Sequence, residues 1–261
     1  MRRRDALPLG PFDPAAVVVY DGGADVGEVT HRVRALIALQ PYFYAAFACD
    51  GAGGCEAFGV QVPFELTLGQ ALLDGGYTIY LRHALADRCG DALALGTAAT
   101  TASPGWWRSC ERDCTSATAA QLGEVGLAQA SALGEALSLR AIPVGLVRTS
   151  EFCRARQTAE ALALPGATIV EDQPLTYFVY AEDARCAQIA AELALPPPPG
   201  SNALLVGHAD FAGPCDPLAA LAAGEAAVFR PTGPAPNDDD GDLGVARLIE
   251  LVGPSAWAGL P

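Results

Sequence analysis

The alternation of apolar and polar segments along the chain predicts a series of strands and helices after residue 66. Short runs of β-branched and aromatic residues bounded by glycine or proline are typical of buried strands, and longer segments with apolar residues at helical spacing are typical of helices. On this basis we predict strands at 77–81, 144–147, 168–170, 203–206, 226–230 and 245–252. The predicted helices cover 67–73, 117–139, 153–164, 184–193 and 216–223.

Strands that alternate with helices indicate a mostly parallel sheet with helices on both faces. We therefore predict an α/β fold, a three-layer α/β/α sandwich with a mostly parallel central sheet, over residues 66–261. The last strand is expected to run antiparallel at the sheet edge. Residues 1–65 are predicted to be an N-terminal extension of unknown role, with a strand at 16–20 and a helix at 29–39. A glycine-rich loop in this extension separates Cys49 from Cys55, and a local disulfide would close it.

Composition and charge narrow the classes of function. The chain has 261 residues, 51% of them hydrophobic, which is enough for one sizeable core. Its formal net charge of −14 argues against binding to nucleic acid or to an anionic membrane surface. All sixteen basic residues are arginines, which excludes sites that need a lysine, such as the P-loop or a pyridoxal Schiff base. No apolar run reaches the roughly 20 residues that a membrane span requires.

The cysteines and the N-terminus give conflicting indications about the compartment. Eight cysteines are many for a protein of the reducing cytosol. The first residues are basic, but prolines interrupt the following segment before an apolar core of signal-peptide length develops. The cysteine count therefore favours export, periplasmic or extracellular, while no segment fits a signal peptide, and the localisation stays open.

Polar side chains follow three of the predicted strands. Arg82 and His83 come directly after the first strand, an arginine-rich segment at 148–156 follows the second, and Gly207 and His208 follow a later one. The carboxyl ends of parallel strands meet at one edge of the sheet, which is where open α/β sheets bind their ligands. The sequence thus predicts that two histidines and several arginines share one crevice.

The segment after the second of these strands has the features of an anion site. Thr149 or Ser150 is a candidate N-cap, and Arg154 and Arg156 follow within the first turns of the predicted helix. Backbone N–H groups at a helix N-terminus and guanidinium groups both bind oxyanions. Phosphate is the most natural ligand of such a site.

These three segments resemble the motifs of the histidine phosphatase superfamily, also called phosphoglycerate mutase-like. The Arg-His-Gly of the family corresponds to Arg82-His83-Ala84, its Ser-x-x-x-Arg-Ala-x-x-Thr-Ala element to residues 150–159, and its second histidine to His208. The resemblance extends over the whole predicted α/β domain and is to the bacterial branch-1 type of phosphatase. It implies a phosphoglycerate mutase-like fold and hydrolysis of phosphomonoesters without a metal or another cofactor.

The resemblance also implies roles for individual residues. His83 would attack phosphorus and carry the phosphoryl group as a phosphohistidine, which water then cleaves. His208 would complete the catalytic pair at the phosphoryl oxygens, where charge develops in the transition state. The substrate, a small phosphomonoester or another phosphorylated molecule, would be bound by Arg82, Arg154, Asp87 and Ser150.

Three residues are candidates for the proton donor to the leaving group. In the mutase-like branch the donor is a glutamate between the second and third motifs, which corresponds to Glu182, with Asp183 next to it. In the acid-phosphatase branch it is an aspartate directly after the second histidine. Ala209 occupies that position here, and Asp210 follows. We predict Glu182, with Asp183 and Asp210 as alternatives, and we expect Glu151 to orient a guanidinium.

The chain departs from the family pattern at two positions. Ala84 replaces the glycine of Arg-His-Gly, and Ala86 stands where many members have a threonine or serine that helps to hold the phosphate. These departures leave two alternatives to the hydrolase. One is a weak or inactive phosphate-binding module on the same fold, and the other is a phosphomutase.

The long loop at 87–113 is expected to cover the mouth of the site, because it follows the Arg-His strand directly. Trp106 and Trp107 would either contact an apolar leaving group as a lid or anchor this loop. Cys114 and Cys153 lie near the motifs, and a disulfide between them would bridge the mouth. The sequence does not predict the oligomeric state.

Overall fold

The computed structural model separates the chain into two compact units, residues 1–71 with 261 and residues 72–260. The residues that it describes are 2–3, 41–49, 55–65, 67–92, 96, 101, 104–111, 114, 118–176, 178–180, 184–209, 215, 218–231 and 246–260. Up to residue 65 the description is limited to the backbone. The domain boundary after residue 65 stays a prediction.

The first unit contains a three-stranded antiparallel sheet with the order β1-β2-β3. Its strands are β1 (Arg2–Arg3), β2 (Pro41–Cys49) and β3 (Cys55–Glu65). Cys49 and Cys55 are register partners of the antiparallel β2–β3 pair, so the predicted glycine-rich loop joins two strands that the sequence did not predict. The predicted strand at 16–20 and helix at 29–39 lie outside the described residues.

The second unit is built on a six-stranded sheet with the order β6-β5-β7-β4-β8-β9. The strands are β4 (Thr78–Arg82), β5 (Val144–Thr149), β6 (Thr168–Glu171), β7 (Asn202–Gly207), β8 (Ala226–Arg230) and β9 (Arg247–Val252). The first four strands in this order are parallel, and β8 and β9 are antiparallel at one edge. The structure therefore confirms the mostly parallel sheet and the position of the last strand at its edge. This strand pairs antiparallel with β8, which is the strand that runs opposite to the other five.

Both faces of this sheet are buried at its central strands β4, β7 and β8. The helices are α1 (Leu68–Asp74), α2 (Glu124–Leu139), α3 (Cys153–Ala161) and α4 (Arg185–Ala194). Tyr80 and Leu205 share an apolar cluster with Ile189 of α4. Their strand neighbours Ile79 and Leu204, which point to the opposite face, are also buried. Helix α3 contacts β5 and β7 and packs against α2. The predicted α/β fold is confirmed.

The helix α2 begins later than predicted, at Glu124 instead of 117. The residues before it pair with the loop after β4. Ala92 donates its N–H to the carbonyl of Thr118 at 2.9 Å, and Arg88 and Gln121 exchange two backbone hydrogen bonds of 3.1 and 2.7 Å. The helical pattern of the sequence carries no information about this tertiary pairing, which replaces the first turns of the predicted helix.

Two further helices are shorter than predicted. Helix α3 ends at Ala161 instead of 164. Beyond it, Ala163 and Gly166 have φ of 47° and 75°, and a right-handed helix cannot continue through residues with positive φ. The segment 216–223 was predicted as a helix, but its described part contains only a 3-10 helix at Leu218–Ala220.

Within the described residues, no helix combines the length and apolarity that crossing a membrane would need.

Replacement of Gly134 by alanine should destabilise the protein. Alanine is normally the better helix residue by about 0.5–1 kcal/mol. However, a Cβ at Gly134 in α2 would overlap the backbone carbonyl of Leu162, the residue directly after α3. We expect the free energy of unfolding to fall by about 1–3 kcal/mol in urea denaturation. Gly253→Ala, at a position with open space around it, is the control. A Gly134→Ala protein more stable than wild type would contradict the close contact between Gly134 and Leu162.

Candidate active site

Three parallel strands end side by side and bring their polar residues together. In the sheet, β7 lies between β5 and β4. His83 follows β4, Ser150 follows β5 and His208 follows β7. The rings of His83 and His208 lie 5.2 Å apart between centroids. The predicted meeting of the two strand-end histidines is therefore confirmed.

His83 is buried and its ring is held in one orientation. Its Nδ1 lies 2.8 Å from the carbonyl oxygen of Ala84, so this nitrogen carries the proton and donates it to the hydrogen bond. The other nitrogen, Nε2, accepts a hydrogen bond of 3.2 Å from Nε of Arg154. Burial, followed by the positive charge of Arg154, lowers the pKa of His83 to about 3. The ring is thus neutral near pH 7, with its lone pair on Nε2.

Arg154 connects this histidine to the loop after β4. Its guanidinium lies over the ring of Phe152, with Cζ 4.3 Å from the ring centroid. Its Nη1 donates to both carboxylate oxygens of Asp91, at 3.0 and 3.2 Å. One guanidinium therefore contacts a neutral imidazole through Nε and a carboxylate through Nη1.

His208 is fully buried and is fixed through its backbone and its ring. The hydroxyl of Tyr80 donates to the His208 carbonyl at 2.9 Å and accepts the His208 N–H at 3.1 Å. Ring Nε2 lies 2.8 Å from the hydroxyl oxygen of Ser150. Burial first, and then the charge of Arg154, lower the pKa of His208 well below its usual value. Ser150, which we predicted to bind substrate, is in contact with the second histidine.

The start of α3 differs from the prediction. The N-cap residue is Phe152, not Thr149 or Ser150. The Ser150 hydroxyl still accepts the N–H of Phe152, at 3.2 Å, just before the helix begins. Ser150 therefore fixes the chain at the entry of α3 and contacts the His208 ring with the same oxygen.

Thr158 joins the first motif to the second. Its hydroxyl accepts the N–H of Ala84 at 3.0 Å and donates to the carbonyl of Arg154 at 2.7 Å. The residue after the nucleophile candidate is thus attached directly to the helix that carries the arginine.

The remaining predicted residues are placed less centrally. Arg82 donates from Nη1 to the carbonyl of Leu221 at 2.6 Å, and its charge contributes to the low pKa values of both histidines. Asp87 is exposed and lies beside Gly123 at the N-terminus of α2. The described hydrogen bonds do not connect Asp87 to either histidine. The substrate-binding roles of Arg82 and Asp87 stay predictions, and Glu182, Asp183 and Asp210 lie outside the described residues.

Aromatic residues anchor the loop after β4. Trp106 is buried, with its ring 5.8 Å from that of Phe152. Glu151 accepts hydrogen bonds of 2.8 Å from both Nε1 of Trp107 and the hydroxyl of Tyr180. The described contacts of the Glu151 carboxylate are with an indole and a phenol, and its orientation of a guanidinium stays a prediction. The contacts of Trp106 favour an anchoring role over that of a lid.

The described cysteines from residue 89 onward form three disulfides, Cys89–Cys114, Cys110–Cys153 and Cys186–Cys215. Cys153 pairs with Cys110 and not with Cys114, so the predicted bridge was wrong in its partner. Its effect on the site is similar, because it attaches the loop to the residue that precedes Arg154.

Among the residues that the structure describes, no group of histidine, cysteine, aspartate or glutamate side chains is arranged to hold a metal ion.

Sequence reasoning missed Asp91 and Tyr80. Asp91 belongs to a loop of small residues and contacts an arginine 63 positions away, which the local sequence does not indicate. Tyr80 lies in the predicted strand 77–81, and its hydroxyl is the part that contacts His208. For Asp91, the sequence offered only a carboxylate eight positions after His83. For Tyr80, it offered a phenol on a central strand, and buried phenols usually have a hydrogen-bond partner.

Residues 106–177 match the family model described as the histidine phosphatase superfamily, branch 1. The match confirms the resemblance that the motifs indicated. It includes the arginine motif at 150–159 but neither His83 nor His208.

Solved structures similar to this chain include three that are described as phosphatases. A phosphohistidine phosphatase SixA from Agrobacterium tumefaciens is 21% identical, with 68% of this chain and 98% of that one covered and a TM-score of 0.38. SixA from Nakamurella multipartitia is 23% identical, with 69% and 98% covered and a TM-score of 0.42. Mycobacterial glucosyl-3-phosphoglycerate phosphatase is 19% identical, with 67% and 97% covered and a TM-score of 0.37. None of the curated proteins matches the sequence.

The low pKa of His83 predicts a specific dependence of stability on pH. In the unfolded chain the imidazole titrates near 6.5, so between pH 6.5 and about 3 the unfolded state binds a proton that the folded state does not. Stability should therefore fall as the pH drops through this window, by up to about 1.4 kcal/mol per pH unit for one histidine. In denaturation at several pH values, His83→Gln should reduce the slope between pH 6 and 4. An unchanged slope would contradict a buried neutral His83.

Proposed function

We propose that the chain is a phosphomonoester hydrolase that works through a phosphohistidine on His83, without a metal ion. The observation that carries this proposal is the environment of the His83 ring. The hydrogen bond from Nδ1 to the Ala84 carbonyl leaves the lone pair on Nε2, and a pKa of about 3 keeps that nitrogen unprotonated. An unprotonated ring nitrogen next to an arginine has what nucleophilic attack on a phosphate ester requires.

In the first step, Nε2 of His83 attacks phosphorus while the bond from phosphorus to the ester oxygen breaks. The ring becomes positively charged, and the Nδ1–H bond to the Ala84 carbonyl stabilises that charge. Because the His83 lone pair accepts the Nε–H of Arg154 before substrate binds, this N–H has to move to a phosphoryl oxygen. The substrate thus exposes the nucleophile and receives a hydrogen bond in the same event.

The second histidine, His208, contributes a hydrogen-bonding ring in a fixed position rather than a positive charge. His208 is fully buried with a lowered pKa, so its ring is neutral and its position is fixed by Tyr80 and Ser150. A rigid ring beside the phosphoryl group requires little rearrangement as negative charge develops, which is the condition for effective electrostatic stabilisation. Arg82 would add a further guanidinium to the same group.

The second step regenerates the enzyme. Water attacks the phosphorus of the phosphohistidine, the bond from nitrogen to phosphorus breaks, and inorganic phosphate leaves. The carboxylic acid that gave its proton to the leaving alcohol in the first step, for which we propose Glu182, takes a proton from this water. Both the carboxyl group and His83 return to their initial protonation states.

The protein should release nitrophenol from p-nitrophenyl phosphate and form an acid-labile phosphoprotein in rapid-quench experiments. His83→Ala should abolish the phosphoprotein and reduce turnover by about 1000-fold or more, because the nucleophile is lost. His31→Ala, at a histidine outside the motifs, is the matched control. Failure to release phosphate from any monoester of a broad panel would refute the hydrolase. Retained oxyanion binding would then indicate a binding module, and transfer to a second alcohol in place of water would indicate a phosphomutase.

The proton donor can be identified by varying the leaving group. Glu182→Gln should slow hydrolysis of alkyl phosphates by about 100-fold or more, because an alkoxide leaves poorly without a proton. It should affect p-nitrophenyl phosphate much less, since nitrophenolate leaves unprotonated. Asp183→Asn and Asp210→Asn are the matched variants. If one of them, and not Glu182→Gln, shows the loss that depends on the leaving group, the assignment to Glu182 is wrong.

A further inference from the structure

Asp91 forms an ion pair at the candidate site that the proposed mechanism does not use. Both of its carboxylate oxygens accept from Nη1 of Arg154, and Oδ1 also accepts the N–H of Ala120 at 2.8 Å. The side chain of Arg154 is 4% exposed and that of Asp91 22%. The pair is therefore largely shielded from water. A charge-assisted hydrogen bond in such a place is strong and keeps its geometry.

The segment that carries Asp91 is fixed on both sides. Arg88, three residues before it, exchanges two backbone hydrogen bonds with Gln121, and Ala92, directly after it, donates its N–H to the carbonyl of Thr118. The disulfide between Cys89 and Cys114 closes the same part of the loop. The carboxylate is consequently held at one place by main-chain and covalent constraints, so that it can orient a partner.

The partner that it orients is the guanidinium beside the nucleophile. A guanidinium is planar, and its donors have fixed directions relative to one another. When Asp91 holds Nη1 and the plane lies over Phe152, the direction of the Arg154 Nε–H is determined. That direction is toward Nε2 of His83, at 3.2 Å.

We propose that Asp91 is a positioning residue, which keeps the guanidinium of Arg154 beside the reactive nitrogen of His83 when a phosphoryl group displaces the hydrogen bond between them. The proposal rests on the phosphatase function proposed above. Asp91 does not contact the reacting atoms in this arrangement and exchanges no proton with the substrate. It anchors the guanidinium at the site before the phosphoryl group arrives, so that its Nε–H has only a short way to move from His83 to a phosphoryl oxygen.

The kinetic test compares two variants that each remove one negative charge from the loop. Asp91→Asn keeps the size of the side chain and an acceptor for Ala120 but weakens its hold on Arg154. We expect kcat to fall by about 10- to 100-fold, with a much smaller change in KM, because the orientation matters most in the transition state. Glu111→Gln, at an exposed position of the same loop, should keep kcat within about twofold of wild type.

A double-mutant cycle shows whether the effect passes through Arg154. Lysine at this position has a single charged nitrogen and no planar fork that Asp91 could orient. In an Arg154→Lys background, Asp91→Asn should therefore change kcat by less than about twofold. An equal loss in both backgrounds, or no loss in Asp91→Asn alone, would overturn the proposal. A gain in kcat/KM would overturn it too, since Asp91 would then compete with the phosphate for the arginine.

A spectroscopic readout separates this proposal from the proposed function. The chain has only three histidines, so the ring nitrogens can be followed by NMR in histidine-labelled protein. Asp91→Asn should move the Nε2 resonance of His83 in the direction that Arg154→Lys moves it, and Glu111→Gln should not. If wild-type protein hydrolysed no monoester, the phosphatase function would fail and this shift would still decide the role of Asp91. An unchanged resonance would overturn it.

Folding of the variants is checked by their thermal unfolding temperatures. If Asp91→Asn does not fold, Asp91→Glu replaces it. Glutamate keeps the charge but moves the carboxylate by one methylene group, so a folded Asp91→Glu should lose about tenfold in kcat and show an altered His83 resonance. Wild-type kcat together with a wild-type resonance in this variant would overturn the proposal.

Discussion

The hydrogen bond from Arg154 to His83 places a cation against a neutral imidazole inside a buried site, and the surrounding structure is arranged around that contact. Burying a guanidinium is costly unless its charge is paired and its donors are used. Asp91 supplies the counter-charge and Phe152 covers one face of the guanidinium plane. The same guanidinium is a cause of the low pKa of both histidines, so the arginine and the neutral rings depend on each other.

The sheet makes this contact possible because three strand ends lie next to each other. Since β5, β7 and β4 are parallel neighbours, the residues after them emerge at the same edge of the sheet. Tyr80 reaches from the central strand to the backbone of His208, and Thr158 reaches from α3 to the N–H of Ala84. These two hydroxyls connect three separate chain segments, and rigid connections of this kind are what a preorganised site requires.

The sequence was most informative where chemistry follows a regular element. The apolar run before Arg82 and the later run before Gly207 are short and bounded by glycine or proline, so their strand character and the position of His83 and His208 could be predicted. Contacts between loops could not be predicted in this way. The partner of Cys153 and the carboxylate on Arg154 depend on where the chain returns after a long loop, and the late start of α2 depends on the pairing of Arg88 with Gln121. No periodicity encodes these contacts.

The departures from the family pattern have a physical explanation in the same contacts. Position 84 contributes its main chain to the site, because its carbonyl accepts from His83 and its N–H donates to Thr158. Its side chain is buried in an apolar cluster with Leu122 and Ala130, and Ala86 packs against the same cluster. A methyl group at Ala84 therefore adds apolar contact without changing either hydrogen bond. The orientation of the His83 ring depends on backbone geometry, and an alanine after the histidine is compatible with it.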